Sequence, residues 1–212
     1  WPLEYRDDPQ SRFINERNHA NIQKDGTYSV MPRMWGGMTT PEELIAIAEA
    51  ALGPRHPQVS TSVNNLGLIF RALGESSTAR VHFRRALELR ESAYGPDHPA
   101  VAAVLANLGN AETDLGNFDE AMRVLSRTLE IRERSFGADH LEVASTLLNI
   151  ARVTYERGEY EAALRDNARA LAIQERELGP DHPRVTTNLF NVGVIKGELG
   201  DYDGAEAALS QT

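Results

Sequence analysis

Cysteine is absent from all 212 residues, which removes disulfides and leaves the redox compartment undetermined. Lysine is nearly absent as well: Lys24 and Lys196 stand against twenty arginines, a bias that points to genomic base composition more than to function. Basic residues are outnumbered 31 to 22, and the net charge of -9 argues against nucleic acid as a partner, because phosphate binding needs a basic surface. No apolar run approaches the length of a membrane span, and the first residues lack the basic-then-apolar order of a signal peptide. A cytoplasmic protein with no membrane partner is the expectation. The chain also lacks a Gly-x-Ser-x-Gly elbow, paired histidines at helical spacing and a phosphate-loop motif, so no catalytic residue is indicated.

What the chain does have is repetition. Gly53-Pro54-Arg55-His56-Pro57 returns every 42 residues as Gly95-Pro96-Asp97-His98-Pro99, Gly137-Ala138-Asp139-His140-Leu141 and Gly179-Pro180-Asp181-His182-Pro183. A fixed period of this size marks a stacked array, in which each unit buries its apolar face against its neighbours. Between the loops the columns hold without a gap. Asn65, Asn107, Asn149 and Asn191 share one, followed by Leu66, Leu108, Ile150 and Val192, then by Gly67, Gly109, Ala151 and Gly193. Turn glycines Gly74, Gly116, Gly158 and Gly200 come next, with Ala79, Ala121, Ala163 and Ala205 five positions on.

Each unit therefore reads as helix, glycine turn, helix. Val101, Val104, Leu105 and Leu108 recur at three and four residues and share one helical face, and Ala121, Val124, Leu125, Leu129 and Ile131 form the matching face of the second helix. Two helices joined by a short turn approach closely only where side chains are small, which marks Gly109 and Ala121 as close-approach positions. Gly95 and Gly179 supply the left-handed residue that ends a helix, while Pro99 and Pro183 suit the first turn of the next. Asp97, Asp139 and Asp181 sit just upstream, where a carboxylate caps the helix or favours its positive end.

The run Asn-Leu-Gly, the turns Gly116 to Ala121 and Gly158 to Ala163, and Arg169 to Ile173 resemble tetratricopeptide repeats. The 42-residue length with Gly-Pro-Asp-His-Pro resembles the long subclass of kinesin light chains and bacterial regulatory proteins. The resemblance covers about residues 41 to 212 and implies an all-α, right-handed α-solenoid with repeats at 53–94, 95–136, 137–178 and an incomplete 179–212. Ser76, where an aromatic is usual, Asn167, where an apolar residue is usual, and Leu141 in place of proline are local departures.

Residues 1 to 40 do not fit the repeat. Asp25-Gly26 between Asn21–Lys24 and Thr27–Arg33 predicts a short β-hairpin leader, and Thr40 with Pro41 predicts a helix start leading into Leu44 to Leu52. Phe13 to Arg17, His19 to Val30 and Pro32 to Gly37 resemble the ferredoxin-like half domain of nitrite and sulfite reductases, up to about residue 50. In that family the matching arginine, Arg33, faces sirohaem or its anionic substrate. An iron-sulfur cluster requires cysteine thiolates, which this chain lacks, so reduction of nitrite by this polypeptide alone is excluded and no cofactor is expected. Leu44 to Leu52 lies one period before Ala86 to Tyr94, so residues 41 to 52 are expected to cap the array, with Leu44, Ile45 and Ala48 packed on the first helix of repeat one. The chain begins without methionine and stops at Thr212 partway through a second helix, as a fragment of something longer or the product of a gene rearrangement would.

Six histidines invite a metal reading, yet four share one loop position. Equivalent positions in stacked repeats lie about 10 Å apart, too far to share one metal whose bonds are near 2 Å. They are read as loop-structuring residues. The asparagine column is the candidate binding site: a row of amides, each donor and acceptor, suits the backbone of an extended peptide, although each amide could equally fix the stack. One turn along, Leu68, Asn110, Arg152 and Val194 vary as a specificity row would, and Arg152 has either a ligand carboxylate or an internal partner.

Three functional readings stand. The first is a non-catalytic module binding a peptide or partner helix through Asn65, Asn107, Asn110, Asn149, Arg152 and Asn191. The second is a fragment derived from, or docking onto, a nitrite or sulfite reductase. The third is a scaffold that self-associates through Tyr202, Ala205 and Leu209 of the incomplete last repeat.

Overall fold

The computed structural model describes residues 21–22, 28–29 and 41–210, and contacts divide the chain into two compact units, 1–62 and 63–212. Among the described residues the chain is all helical apart from two short strands. These are β1 (Asn21–Ile22) and β2 (Tyr28–Ser29), which pair antiparallel with Asn21 opposite Ser29. The remainder of the expected leader, with its Asp25-Gly26 turn and Arg33, lies outside the described residues. The helices are α1 (Pro41–Leu52), α2 (Pro57–Ala72), α3 (Ser76–Tyr94), α4 (Pro99–Asp114), α5 (Phe118–Phe136), α6 (Leu141–Glu156), α7 (Tyr160–Leu178), α8 (Pro183–Glu198) and α9 (Tyr202–Leu209).

In the first unit, α1 begins at Pro41 and buries Ile45 and Ala48, while Ile47 is exposed; the Leu44 side chain lies outside the described residues. In the second unit, consecutive helices from α3 to α9 pack on one another and α4 also touches α6. The helical stripes read from sequence are the buried ones. Val101, Val104, Leu105 and Leu108 on α4 and Ala121, Val124, Leu125 and Ile131 on α5 are all buried. The second helix α5 serves two repeats: Ala121 and Leu125 cluster with Ile150 and Val153 of the following repeat, and Leu129 packs also against the cluster of Val143, Ala144, Leu147, Ala170 and Ile173. The second cluster lies within the repeat 137–178 and is completed by Leu129 of the repeat before, so neighbouring repeats share their packing, as stacked arrays do.

The small column is explained by the residue facing it. A Cβ on Gly109 would stand 2.6 Å from Leu125 Cγ, and one on Gly67 would stand 2.6 Å from Phe83 Cε1. Gly109 therefore admits Leu125 against its backbone. Asn167 occupies the column of Phe83, Leu125 and Leu209, and it accompanies the one repeat in which alanine, Ala151, replaces the glycine. The smaller side chain goes with the larger backbone residue. Asn167 is buried with its Nδ2 donating to Ala163 O at 2.9 Å.

The boundary loops depart from expectation in two ways. Gly95 has φ +83° but ψ 162°, outside the left-handed helical region and in one open essentially to glycine alone. The caps, moreover, are the histidines. Nδ1 of His98, His140 and His182 accepts from the backbone N–H of Ala100, Glu142 and Arg184 at 3.1 Å in each case, and His56 Nδ1 accepts from Gln58 N at 3.2 Å. Tyr94 and Phe136 stack on His98 and His140 at 4.8 Å, fixing the rings. The loop aspartates instead pair with the second helix of their own repeat, Asp139 with Arg176 at 3.0 Å and Asp97 with Arg134 at 4.0 Å.

Arginines knit the stack from several directions. Arg127 and Arg169 donate to the loop carbonyls of Pro96 and Ala138 and pair with Glu91 and Glu133. Arg132, buried at the end of α5, donates to Glu142 O and Thr146 Oγ1 on α6 and pairs with the Glu142 carboxylate at 2.6 Å. Burial lowers the Arg132 pKa, and Glu142 opposes that shift. A planar guanidinium with five donors makes such multiple contacts and an ammonium does not, which gives the arginine bias a structural role that composition alone did not reveal.

Candidate binding face on the first helices

With their apolar faces buried, α4, α6 and α8 present one stripe that is not. Its residues follow helical spacing: Ala103, Asn107, Asn110 and Asp114 on α4; Ser145, Asn149, Arg152 and Glu156 on α6; Thr187, Asn191, Val194 and Glu198 on α8. The asparagine column and the row one turn along both lie on it. Asn107 and Asn149 are half-buried, whereas Asn65, on α2, and Asn191 are exposed.

The asparagines do not share one role. Asn107 Nδ2 donates to Asn64 Oδ1 at 2.9 Å, so part of its hydrogen-bonding capacity is committed to the preceding first helix. The positions equivalent to Asn64 are Ala106, Leu148 and Phe190, which offer no such acceptor. Among the described residues the side chains of Asn65, Asn110, Asn149 and Asn191 make no hydrogen bond.

Arg152 has an internal partner, the carboxylate of Asp114 on α4. The same carboxylate accepts from Arg71 Nε at 2.6 Å and from Ser76 Oγ at 3.4 Å. Asp114 is thus bracketed by guanidinium groups from the repeats before and after it. Partial burial would raise its pKa, but the hydrogen bonds from Arg71 and Arg152 outweigh that and hold the carboxyl below its ordinary value. Leu68 and Val194, in the row of Arg152, are 39% and 37% exposed. At the far end Tyr202 and Leu209 are exposed and Ala205 is half-buried, with Leu209 Cγ 2.9 Å from where a Cβ of Gly193 would stand.

Sequence reasoning missed two charged groups. Glu112 is fully buried, held by Arg84 at 3.1 Å, by Arg80 at 3.7 Å and by Asn117 Nδ2 at 2.8 Å. Its column reads Phe70, Glu112, Thr154 and Lys196, so periodicity carries no signal for it. Asp114 was missed for the same reason, since its partners lie 38 and 43 residues away. Among the described residues no group of three or more histidine, aspartate or glutamate side chains is placed to hold a metal ion, and no helix is long and apolar enough to cross a membrane.

Comparison with known proteins follows the two parts of the chain. Local similarity at the N-terminal end is to nitrite reductases. That of Bacillus subtilis (strain 168) is 65% identical over 48 residues, 23% of this chain and 6% of that enzyme. The large subunit of Klebsiella oxytoca is 41% identical over 78 residues, 32% of this chain and 8% of that one. The chain spans less than a tenth of either relative.

Among solved structures, BtubC (BKLC) from P. vanneervenii gives a TM-score of 0.71 at 22% identity, over 81% of this chain and 71% of that one. A putative kinesin light chain of Podosopora anserina, with nearly identical TPR-like repeats, gives 0.67 at 21% identity over 81% of both chains. A Rap protein complexed with competence and sporulation factor gives 0.65 at 18% identity, over 78% of this chain and 45% of that one. At such identities the likeness shows the fold. The tetratricopeptide repeat model itself matches four times, over residues 42–92, 78–134, 105–175 and 142–212, and the chain belongs to the tetratricopeptide repeat family.

Proposed function

We propose that this chain is a non-catalytic interaction module, which binds an extended peptide or partner helix along the stripe of its first helices. The observation that carries the reading is the state of the asparagine row: Asn149 and Asn191 stand partly or fully exposed, with amides that bond nothing among the described residues. An amide offers a donor and an acceptor side by side, the complement of a peptide unit, so a row of them binds main chain without regard to side chains. Asn65 and Asn110 extend the row and its flank. Asn107 and Arg152 bind within the array and serve chiefly to set its geometry. The Rap protein of like fold carries competence and sporulation factor in its solved complex, which supports a ligand-binding use of such an array. In this reading the repeats wind as a right-handed solenoid in the cytoplasm, with the first helices inward and residues 1 to 40 forming a hairpin leader.

The test is selection of binders from a phage-displayed random dodecapeptide library on the immobilised full chain. Affinities are then measured for the parent and for Asn149→Ala/Asn191→Ala. The expected result is a loss of about tenfold or more with an unchanged thermal midpoint. Unaltered affinity in the folded double variant would remove the asparagine row from the account. A second reading, in which the chain is a fragment derived from, or docking onto, a nitrite or sulfite reductase, starts from the 65% identity over 48 residues. It requires co-migration with a sirohaem enzyme, detected by absorbance, that survives Asn149→Ala/Asn191→Ala.

A further inference from the structure

The array contains its own example of how the last position of the stripe is used. Asp114 holds two guanidinium groups, Arg71 from the preceding repeat and Arg152 from the following one. Glu156 is the equivalent residue one repeat on, and the positions equivalent to those two arginines are Thr113 and Val194. Glu198 is the equivalent two repeats on, and the position matching Arg71 is Tyr155. Tyr155 reaches across as Arg71 does, its hydroxyl donating to Glu198 Oε1 at 3.4 Å, but it brings no charge.

The nearby cations are already engaged. Arg157 pairs with Asp119 at 3.0 Å and with Glu159 at 2.8 Å, and Lys196 pairs with Asp201 at 3.4 Å. Glu156 and Glu198 are exposed, and among the described residues neither has a basic partner. The Tyr155 ring is half-buried and tilted at 55° against Tyr160, with centroids 5.4 Å apart, so an aromatic surface adjoins the carboxylates. Burial and the Glu198 carboxylate raise the Tyr155 pKa, as expected where the local potential is negative.

We propose that Glu156, Glu198 and Tyr155 form a subsite for an arginine or lysine side chain of the peptide bound along the stripe, so that the partner is a basic segment. The inference rests on the groove reading above. A carboxylate gains a charge-assisted bond only when a cation arrives, and the tyrosine face adds a cation–π contact. The ligand thus supplies at repeats three and four what Arg71 and Arg152 supply at Asp114. The net charge of -9 favours the approach of such a segment.

The dodecapeptide selection is repeated on the full chain and on Glu156→Gln/Glu198→Gln, a nearly isosteric change at exposed positions. Binders of the parent are expected to be enriched in arginine and lysine, to weaken about tenfold or more against the glutamine variant, and to weaken with rising salt. Charge reversal, Glu156→Lys/Glu198→Lys, is expected to turn the preference toward acidic peptides. Peptides that carry no basic bias and bind the glutamine variant equally would overturn this proposal. If those peptides still lost affinity in Asn149→Ala/Asn191→Ala, the groove reading would stand without it. Failure to select any binder would count against both.

Discussion

Adding one methyl group at Gly109 tests the packing account with a signed number. Gly109 lies inside α4, where alanine is favoured over glycine by about 1 kcal/mol in helix propensity. Propensity alone therefore makes Gly109→Ala stabilising. The structure reverses the sign: the new Cβ would stand 2.6 Å from Leu125 Cγ and 2.7 Å from Cδ2, and Leu125 is fully buried. Overpacking of this kind costs about 1–3 kcal/mol, which leaves a net destabilisation of roughly 0–2 kcal/mol, with about 1 as the central value. Leu125→Ala alone should cost about 2–5 kcal/mol. The double variant should cost less than the sum by about 1 kcal/mol, because the methyl fills part of the space the leucine leaves. Gly197 is the matched control. It is helical, and nothing lies within 4 Å of the point a Cβ would occupy, so Gly197→Ala should be neutral or stabilise by up to about 1 kcal/mol. Urea titrations followed by circular dichroism measure all four variants. A stabilised Gly109→Ala, or single costs that add within about 0.5 kcal/mol, would refute the close-approach argument.

Three further outcomes follow from the same geometry. His140→Ala removes the acceptor for Glu142 N and should cost about 0.5–2 kcal/mol in urea titration, while His140→Asn, which keeps a capping acceptor, should retain most of the stability. Arg132→Ala removes the donor to buried Thr146 Oγ1 and the partner of the Glu142 carboxylate, while Glu142 O keeps the Thr146 hydroxyl, and should cost about 1–3 kcal/mol, with Arg132→Met less harmful because it keeps the apolar stem. The Asp114 carboxyl binds its proton less tightly folded than unfolded, where its pKa is near about 3.9. Its contribution is complete above that value and is lost as pH falls through the lower folded pKa. Asp114→Asn should therefore be less stable than the parent at neutral pH and lose less on acidification, as thermal midpoints from pH 7 to 2 would record.

The repeat was legible because its physics is local and periodic. Helical spacing identified the buried faces of α4 and α5, and the glycine turns and Pro99 and Pro183 marked helix ends. The loop histidines were legible as a column but not as caps. Histidine is not among the usual capping residues, and its role appears only once Nδ1 is seen 3.1 Å from the second amide of the helix. Gly109 was recognisable as a close approach, but its partner, Leu125, was not, because the register of one helix against another is a tertiary property. The division of labour among the asparagines was hidden for a related reason. Whether an amide in that row is committed or available depends on the residue 43 positions earlier, and only Asn107 meets an asparagine there. The charged groups of the stripe were the least visible, since Arg71, Asp114 and Arg152 come from three repeats and no column repeats them.

A crystal structure of the chain with a peptide taken from the library selection would test the central claim most directly. The account predicts main chain of the peptide lying across α6 and α8, with the side-chain amides of Asn149 and Asn191 bonded to its peptide groups. A peptide seated on the second helices or on the histidine loops, with both amides still exposed to water, would contradict it.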